Sequence, residues 1–166
     1  MDNDKVLHAS DNDVHVLRFI GNIRYTLTPS IDHFLERLFS GPKPAGFVID
    51  LTETDSIDST NLGLLARLAK RMQALDTRRI TIVSNRPDIN SVLNSMALNE
   101  VFDIVENTCL ETEALQEVPQ QDVDKQTLTR TLIKTHRALM DLNEHNRNIF
   151  RDVVTALEKN GDKGQY

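Results

Sequence analysis

The chain has 166 residues and a mass of 18.8 kDa, which suits one domain with an appendage. Hydrophobic residues make up 39% of it, enough for a core, and 19 basic against 25 acidic residues leave a net charge of −6. This charge disfavours a nucleic-acid partner, and a single cysteine, Cys109, excludes a disulfide framework. Because no apolar leader follows Met1 and no apolar run reaches about 18 residues, we expect a cytoplasmic protein with no membrane partner.

The first 45 residues predict two or three short strands and one helix. Strands are expected at 5–9, 14–20 and 23–25, with turns at 11–13 and at Gly21-Asn22. Thr28 is a predicted N-cap and Pro29 a first helical residue, and the helix should end at Gly41-Pro42. Apolar residues on this helix recur at one-turn spacing, which indicates one face against a core.

The next 60 residues predict strands that alternate with helices. The runs FVI at 47–49, ITIV at 80–83 and VFDIV at 101–105 are typical of strands, the first two of buried ones. Helices are predicted over 62–75 and from Pro87 to about Met96. The fold class that follows is α/β, with a small mixed β-sheet covered by helices.

The last third of the chain has a different character. Residues 108–124 are acidic and lack an apolar period, so they are a predicted linker, and 125–160 follow one helical pattern. About 35 helical residues would span about 50 Å, more than a domain of about 100 residues is wide. We therefore expect either a break near 141–145, giving a hairpin, or a long helix that packs on another chain. A heptad-like seam with Asn146 as its polar member makes a homodimer through this segment possible.

The residues that usually carry catalysis are poorly represented. The five histidines are scattered, and His136 and His145 are nine residues apart, out of phase on one helix, so no zinc site is expected. Six glycines do not form a phosphate-binding loop, and the nucleophile motif G-x-S-x-G is absent. We therefore expect no enzyme activity, no metal and no cofactor.

One polar segment stands out between a buried strand and the next helix. Six of the seven residues from 52 to 58 carry a hydroxyl or carboxyl group. Asp58 is a predicted N-cap, which places Ser59, Thr60 and Asn61 in the first helical turn, where free backbone N–H groups favour anions. Two interpretations follow from the residues alone: simple capping chemistry, or a phosphorylation site at Ser59.

The run IDSTNLG at 57–63, after the strand FVIDL at 47–51, resembles the signature of anti-sigma factor antagonists, the STAS-domain family. The strand ITIV at 80–83 and the segment MALNEVF at 96–102 are similar to the elements that follow in that family. The resemblance covers about residues 5–107 and implies a STAS-like domain over 1–107. Asn61 stands where the family usually has a glycine.

The resemblance implies a phosphorylation-controlled partner switch. The unphosphorylated protein would bind an anti-sigma factor with serine kinase activity and so free a sigma factor. Phosphorylation would abolish binding, and a metal-dependent serine/threonine phosphatase would restore it. Ser59 is the implied acceptor, with Thr60 and Ser56 as alternatives. The implied partner-binding residues are Asp55, Ser56, Asp58, Ser59, Thr60 and Asn61.

Three other interpretations compete with the switch. A phosphoaspartate receiver would use Asp50, but its first strand should end in an acidic pair, and Gly21-Asn22 stand there. A small hydrolase would pair Ser59 with a histidine, yet no base lies near it in sequence. A constitutive scaffold or ligand-binding module would use Ser59 only as part of a helix start.

Overall fold

The computed structural model describes residues 3–75, 78–107 and 114–163, so Cys109 lies outside the described residues. Within these segments the chain forms seven strands: β1 (Lys5–Asp11), β2 (Val14–Ile23), β3 (Gly46–Asp50), β4 (Thr54–Ile57), β5 (Ile80–Val83), β6 (Phe102–Val105) and β7 (Gln116–Glu117). The five α-helices are α1 (Thr28–Ser40), α2 (Ser59–Ala74), α3 (Pro87–Ser95), α4 (Lys125–Met140) and α5 (Glu144–Lys163). None of the helices formed by the described residues combines the length and apolar character needed to cross a membrane.

The strands form one mixed sheet, as predicted. Its order is β6-β5-β3-β2-β1-β7, with β4 pairing the far end of β2. Neighbours from β6 to β2 run parallel, whereas β1 pairs antiparallel with both β2 and β7. The β1–β2 hairpin turns at Asn12 and Asp13, which both have positive φ (51° and 63°), as a tight hairpin turn requires. The predicted turn at 11–13 is therefore confirmed.

The predicted turn at Gly21-Asn22 is wrong. β2 continues through it to Ile23, with a register shift between Gly21 and Asn22. Gly21 has φ of 86°, and a Cβ there would lie 2.2 Å from the Asp4 carboxylate, which accepts a hydrogen bond from the Asn22 N–H. A glycine that marks a turn in the sequence thus marks a bulge in a continuous strand.

The predicted cap of α1 is also wrong. Thr28 is the first residue of the helix, Leu27 takes the cap position, and no side chain caps this end. Thr28 is fully buried, and its hydroxyl donates to Asn61 Oδ1 at 2.9 Å. A contact with a distant residue therefore takes the hydroxyl that local rules assign to a cap.

Part of the predicted linker contributes to the sheet. β7 lies within 108–124 and pairs with β1, and the Val118 N–H donates to the Val6 carbonyl at 2.8 Å. Val118 is itself buried. The chain is thus tied to the sheet before it enters the C-terminal helices.

The C-terminal segment is a helical hairpin. α4 ends at Met140 and α5 begins at Glu144, and α4 packs along α2 and α5. Asn146, the predicted polar seam residue, is fully buried, and its amide donates to Met96 O at 2.8 Å and to Leu139 O at 3.0 Å. Much of the apolar stripe is therefore used within the chain, while Ile149 and Val153 stay 42% and 41% exposed.

Two histidines form a pair across the β1–β2 hairpin. His8 Nε2 lies 2.9 Å from His15 Nδ1, and the rings are flanked by Phe34 and Phe47. Burial, and to a lesser degree the neighbouring His15, lowers the pKa of His8 to about 4. Burial also lowers the pKa of His15, against an opposing effect of Asp13. The pair is therefore neutral at physiological pH, with one N–H between the two rings.

Candidate functional site

The site is positioned by β4, a strand that was not predicted from the sequence. After β3 the chain turns, and β4 pairs in parallel with the end of β2. The Thr54 hydroxyl donates to the Phe19 carbonyl at 2.8 Å in a buried contact, and the Asp58 N–H donates to Ile23 O at 3.1 Å. The polar segment predicted as a connection is thus half strand, and it fixes the start of α2 beside the end of β2.

Asp58 caps α2, as predicted. Its Oδ1 accepts from the Asn61 backbone N–H and side-chain amide, each at 3.0 Å. Its Oδ2 accepts from the Tyr25 N–H at 2.5 Å. One carboxylate therefore ties the helix start to the turn before α1, and Ser59 follows as the first helical residue.

The predicted site residues differ in exposure. Asp55 and Ser56 are exposed, and Asp58 and Ser59 are half-buried. Thr60 is only 4% exposed and Asn61 is fully buried, with its amide between Asp58 and Thr28. The structure thus presents Ser56 and Ser59 as the accessible hydroxyls, and it turns the side chain of Asn61 away from the surface.

The Ser59 hydroxyl is in contact with a histidine from the C-terminal hairpin. Ser59 Oγ lies 3.0 Å from His136 Nε2, and His136 Nδ1 lies 2.7 Å from the Leu132 carbonyl. A carbonyl oxygen only accepts, so Nδ1 carries a proton; in the tautomer with its single proton on Nδ1, Nε2 is the acceptor for the Ser59 hydroxyl. His136 is 5% exposed and also packs against Phe150.

No base lies near Ser59 in sequence, but the fold brings His136 to it in space. The two residues are 77 positions apart, and no local pattern around Ser59 indicates the pairing. The histidine's other nitrogen meets a backbone carbonyl rather than a carboxylate, so the pair lacks the charged third member of a catalytic triad.

A second residue missed by sequence reasoning is Arg86, just before α3. Its Nη1 donates to the Thr54 carbonyl at 2.8 Å and to Asp55 Oδ1 at 2.9 Å. Arg86 also approaches Asp88 at 3.6 Å. It therefore neutralises part of the acidic edge of the site and holds β4 in place.

The basic residues of α2 contact side chains of the neighbouring helix α1 and of the turn between α4 and α5. Arg67 pairs with Asp32 of α1 at 3.3 Å, and Arg71 lies over the Phe39 ring. Lys70 approaches Asp141 at 3.5 Å, in the turn between α4 and α5. The basic side of α2 is thus flanked by α1 and the hairpin.

Asp50, the acceptor in the receiver interpretation, is engaged. It pairs with Arg18 at 3.0 Å and accepts from the Thr52 backbone N–H at 2.9 Å and from the Thr52 hydroxyl at 2.7 Å. Across residues 3–75, 78–107 and 114–163, no three or more His, Cys, Asp or Glu side chains cluster in a way that could hold a metal ion. The site therefore has the chemistry of a hydroxyl at a helix start rather than of an acidic metal pocket.

Comparison with known proteins identifies the domain. No curated protein matches the chain. The family model of the STAS domain matches residues 6–113, about two thirds of the chain, and spans β1 to β6 with the site at the start of α2. With its mixed sheet and the helices around it, the chain belongs to the STAS-domain family.

Proposed function

We propose that this protein is an anti-sigma factor antagonist whose binding is switched off by phosphorylation of Ser59. The observation that carries the proposal is the position of Ser59, a half-buried hydroxyl at the first residue of α2, directly after the capping Asp58. STAS domains are typically regulatory rather than catalytic. Ser59 is the acceptor that the resemblance of residues 57–63 to the antagonist motif implies. The protein would be a substrate and a regulator.

The modification changes the charge of the site. In the phosphoryl transfer, the Ser59 oxygen bonds the γ-phosphorus of ATP, the bond to ADP breaks, and the hydroxyl proton is lost. The product carries about −1.5 to −2 charges beside Asp58 and close to Asp55. Arg86 and Arg18 supply the cations in the contacts described for residues 50–58, and each is already paired with two carboxylates. Burying the added charge in an interface would cost several kcal/mol.

The partner surface that fits this switch is the rim of the site, which is exposed at Asp55 and Ser56 and half-buried at Asp58 and Ser59. It comprises Asp55, Ser56, Asp58 and Ser59, with Thr60 and Asn61 beneath them as support. The proposed partners are an anti-sigma factor with serine kinase activity and a metal-dependent serine/threonine phosphatase. The acidic rim and the net charge of −6 disfavour nucleic acid and anionic membranes.

Binding of serine variants to the partner tests the proposal. The partner is first captured from cell extract with the unmodified chain as bait and is then purified for titration calorimetry. Ser59→Ala should bind normally and resist ATP-dependent labelling. Ser59→Asp should bind at least tenfold more weakly, about 1.4 kcal/mol. Ser95→Asp adds the same charge at an exposed residue at the end of α3 and should bind normally.

Two outcomes would contradict the assignment. If Ser59→Asp binds as well as the unmodified chain, the protein is a constitutive scaffold and Ser59 only begins a helix. If phosphopeptide mapping places the phosphate on Ser56 or Thr60, the switch survives with a different acceptor.

The Ser59–His136 pair favours a second candidate, a serine hydrolase. A histidine that accepts from a serine hydroxyl is the core of nucleophilic catalysis. A fluorophosphonate probe distinguishes the two functions: it labels Ser59 if the hydroxyl is activated, and His136→Ala should then abolish labelling. An unlabelled Ser59 would contradict the hydrolase.

A further inference from the structure

The C-terminal hairpin covers the same face of α2 that carries Ser59. Gly63 follows Ser59 by four residues, so the two lie on one face of the helix, one turn apart. A Cβ on Gly63 would lie 2.1 Å from the Thr135 carbonyl oxygen, which shows how closely the backbones of α2 and α4 approach. The next residue of α4, His136, meets Ser59.

This arrangement leaves little room for a group on the Ser59 oxygen. Ser59 Oγ and His136 Nε2 are in hydrogen-bond contact, and Thr135 and His136 are both buried. Since the interior is close-packed and α4 meets the α2 backbone at Gly63, α4 cannot tilt away at Ser59 without losing the neighbouring contact.

The electrostatics of the Ser59–His136 contact also disfavour a phosphoryl group on Ser59. In the tautomer that donates from Nδ1 to Leu132 O, Nε2 of His136 carries no hydrogen and can only accept. A phosphoserine has lost the hydroxyl proton that now joins the two residues, and it presents acceptor oxygens and negative charge instead. Two acceptors that face each other in this part-buried contact are unfavourable.

We infer that α4 is an intramolecular cover for Ser59, held by the His136–Ser59 hydrogen bond, and that the docked α4 and a phosphoryl group on Ser59 exclude each other. His136 is the positioning residue of this device. By reciprocity, docking of α4 disfavours the phosphorylated form by the same factor by which the phosphate disfavours docking. The hairpin is thus a part of the protein that responds to phosphorylation. Modification of Ser59 changes the surface of the hairpin at a distance from Ser59 itself.

Hydrogen exchange on the full chain tests this inference. Phosphoserine is installed at position 59 during translation, and amide exchange is followed by mass spectrometry over α4, with β5 as an internal reference. We expect α4 amides to exchange at least about tenfold faster in the phosphorylated chain, with β5 unchanged. Phosphoserine at position 56 is the matched control, because Ser56 is exposed and bonds to Asn22 rather than to the hairpin.

A double-mutant cycle that combines His136 variants with phosphoserine at position 59 separates a specific contact from general destabilisation. In His136→Ala, α4 should exchange faster without phosphate, and phosphoserine at 59 should add markedly less than in the parent chain. His136→Gln offers an acceptor again and should restore part of the protection. Circular dichroism verifies that both variants fold.

Slower or unchanged α4 exchange in the phosphorylated chain would overturn the inference. Slower exchange would mean that an imidazolium binds the phosphate. The inference rests on the proposed function only for its biological meaning. Since the exchange experiment needs neither kinase nor partner, its failure would leave the proposed function standing, and failed partner binding would leave this result unaffected.

Discussion

The contact between α2 and α4 predicts an unusual response to Gly63→Ala. In an isolated helix this substitution is favourable, because alanine is the better helix former by about 1 kcal/mol. Here the new methyl group would lie 2.1 Å from the Thr135 oxygen, 2.5 Å from its carbonyl carbon and 2.9 Å from its Cβ. Two of these three atoms belong to backbone and cannot rotate aside.

The size of the effect follows from the displacement that is needed. To reach ordinary contact at 3.4 Å from 2.1 Å, the helices must separate by about 1.3 Å. That movement would stretch the 3.0 Å Ser59–His136 hydrogen bond beyond its range and loosen the packing around Leu139. Overpacking costs about 1–3 kcal/mol, and a backbone clash lies at the upper end. After the gain in helix propensity, we expect a net loss of about 2 kcal/mol.

Urea denaturation gives the free energy of unfolding, and hydrogen exchange locates the change. Loss of protection should concentrate in α4 and α5, while β2, β3 and β5 stay protected. Gly161→Ala is the control, because the nearest atom to its Cβ would be Thr129 Cγ2 at 3.9 Å, so no loss is expected. If Gly63→Ala is as stable as the parent chain and α4 keeps its protection, the close approach of the two helices is refuted.

Two further predictions concern the cap and the histidine pair. Asp58→Ala removes the N-cap of α2 and the acceptor for the Tyr25 N–H, so urea denaturation should show a free energy of unfolding lower by about 1–2 kcal/mol. Asp58→Asn should fall between the parent chain and Asp58→Ala. An Asp58→Ala variant as stable as the parent chain would contradict the capping role. The lowered pKa of His8 means that the unfolded chain binds the proton more readily, so the stability that His8 contributes should be lost as the pH drops from 6.5 to about 4. Because His8 is half-exposed, screening should limit its share to about 1–2 kcal/mol. His8→Gln should flatten this dependence, and the exposed His33→Gln should not; equal slopes in both would refute the assignment.

Some features of the fold could be predicted from the residues alone, because they depend on neighbours in sequence. The buried strands follow from short apolar runs, and the hairpin turn at 11–13 follows from Asn and Asp, which tolerate positive φ. Asp58 caps α2 because its carboxylate reaches an N–H only three residues ahead. The STAS family was likewise indicated by a continuous motif at the start of α2, and the family match confirms it.

Other features were decided by residues far apart in the chain. β4 has four residues and little apolar pattern, and it exists because it pairs with the end of β2. The Thr28 hydroxyl bonds to Asn61 rather than capping α1, because burial favours that partner.

The contact between His136 and Ser59 is the clearest example of a feature that local sequence rules do not predict. His136 lies 77 residues away, on a helix outside the motif, and its approach depends on the close contact at Gly63. Local rules predicted the serine at the helix start, because capping acts over three or four residues. Only the packing of α4 on α2 decided what that serine touches, since long-range contacts arise from the whole buried surface and leave no signal near either residue.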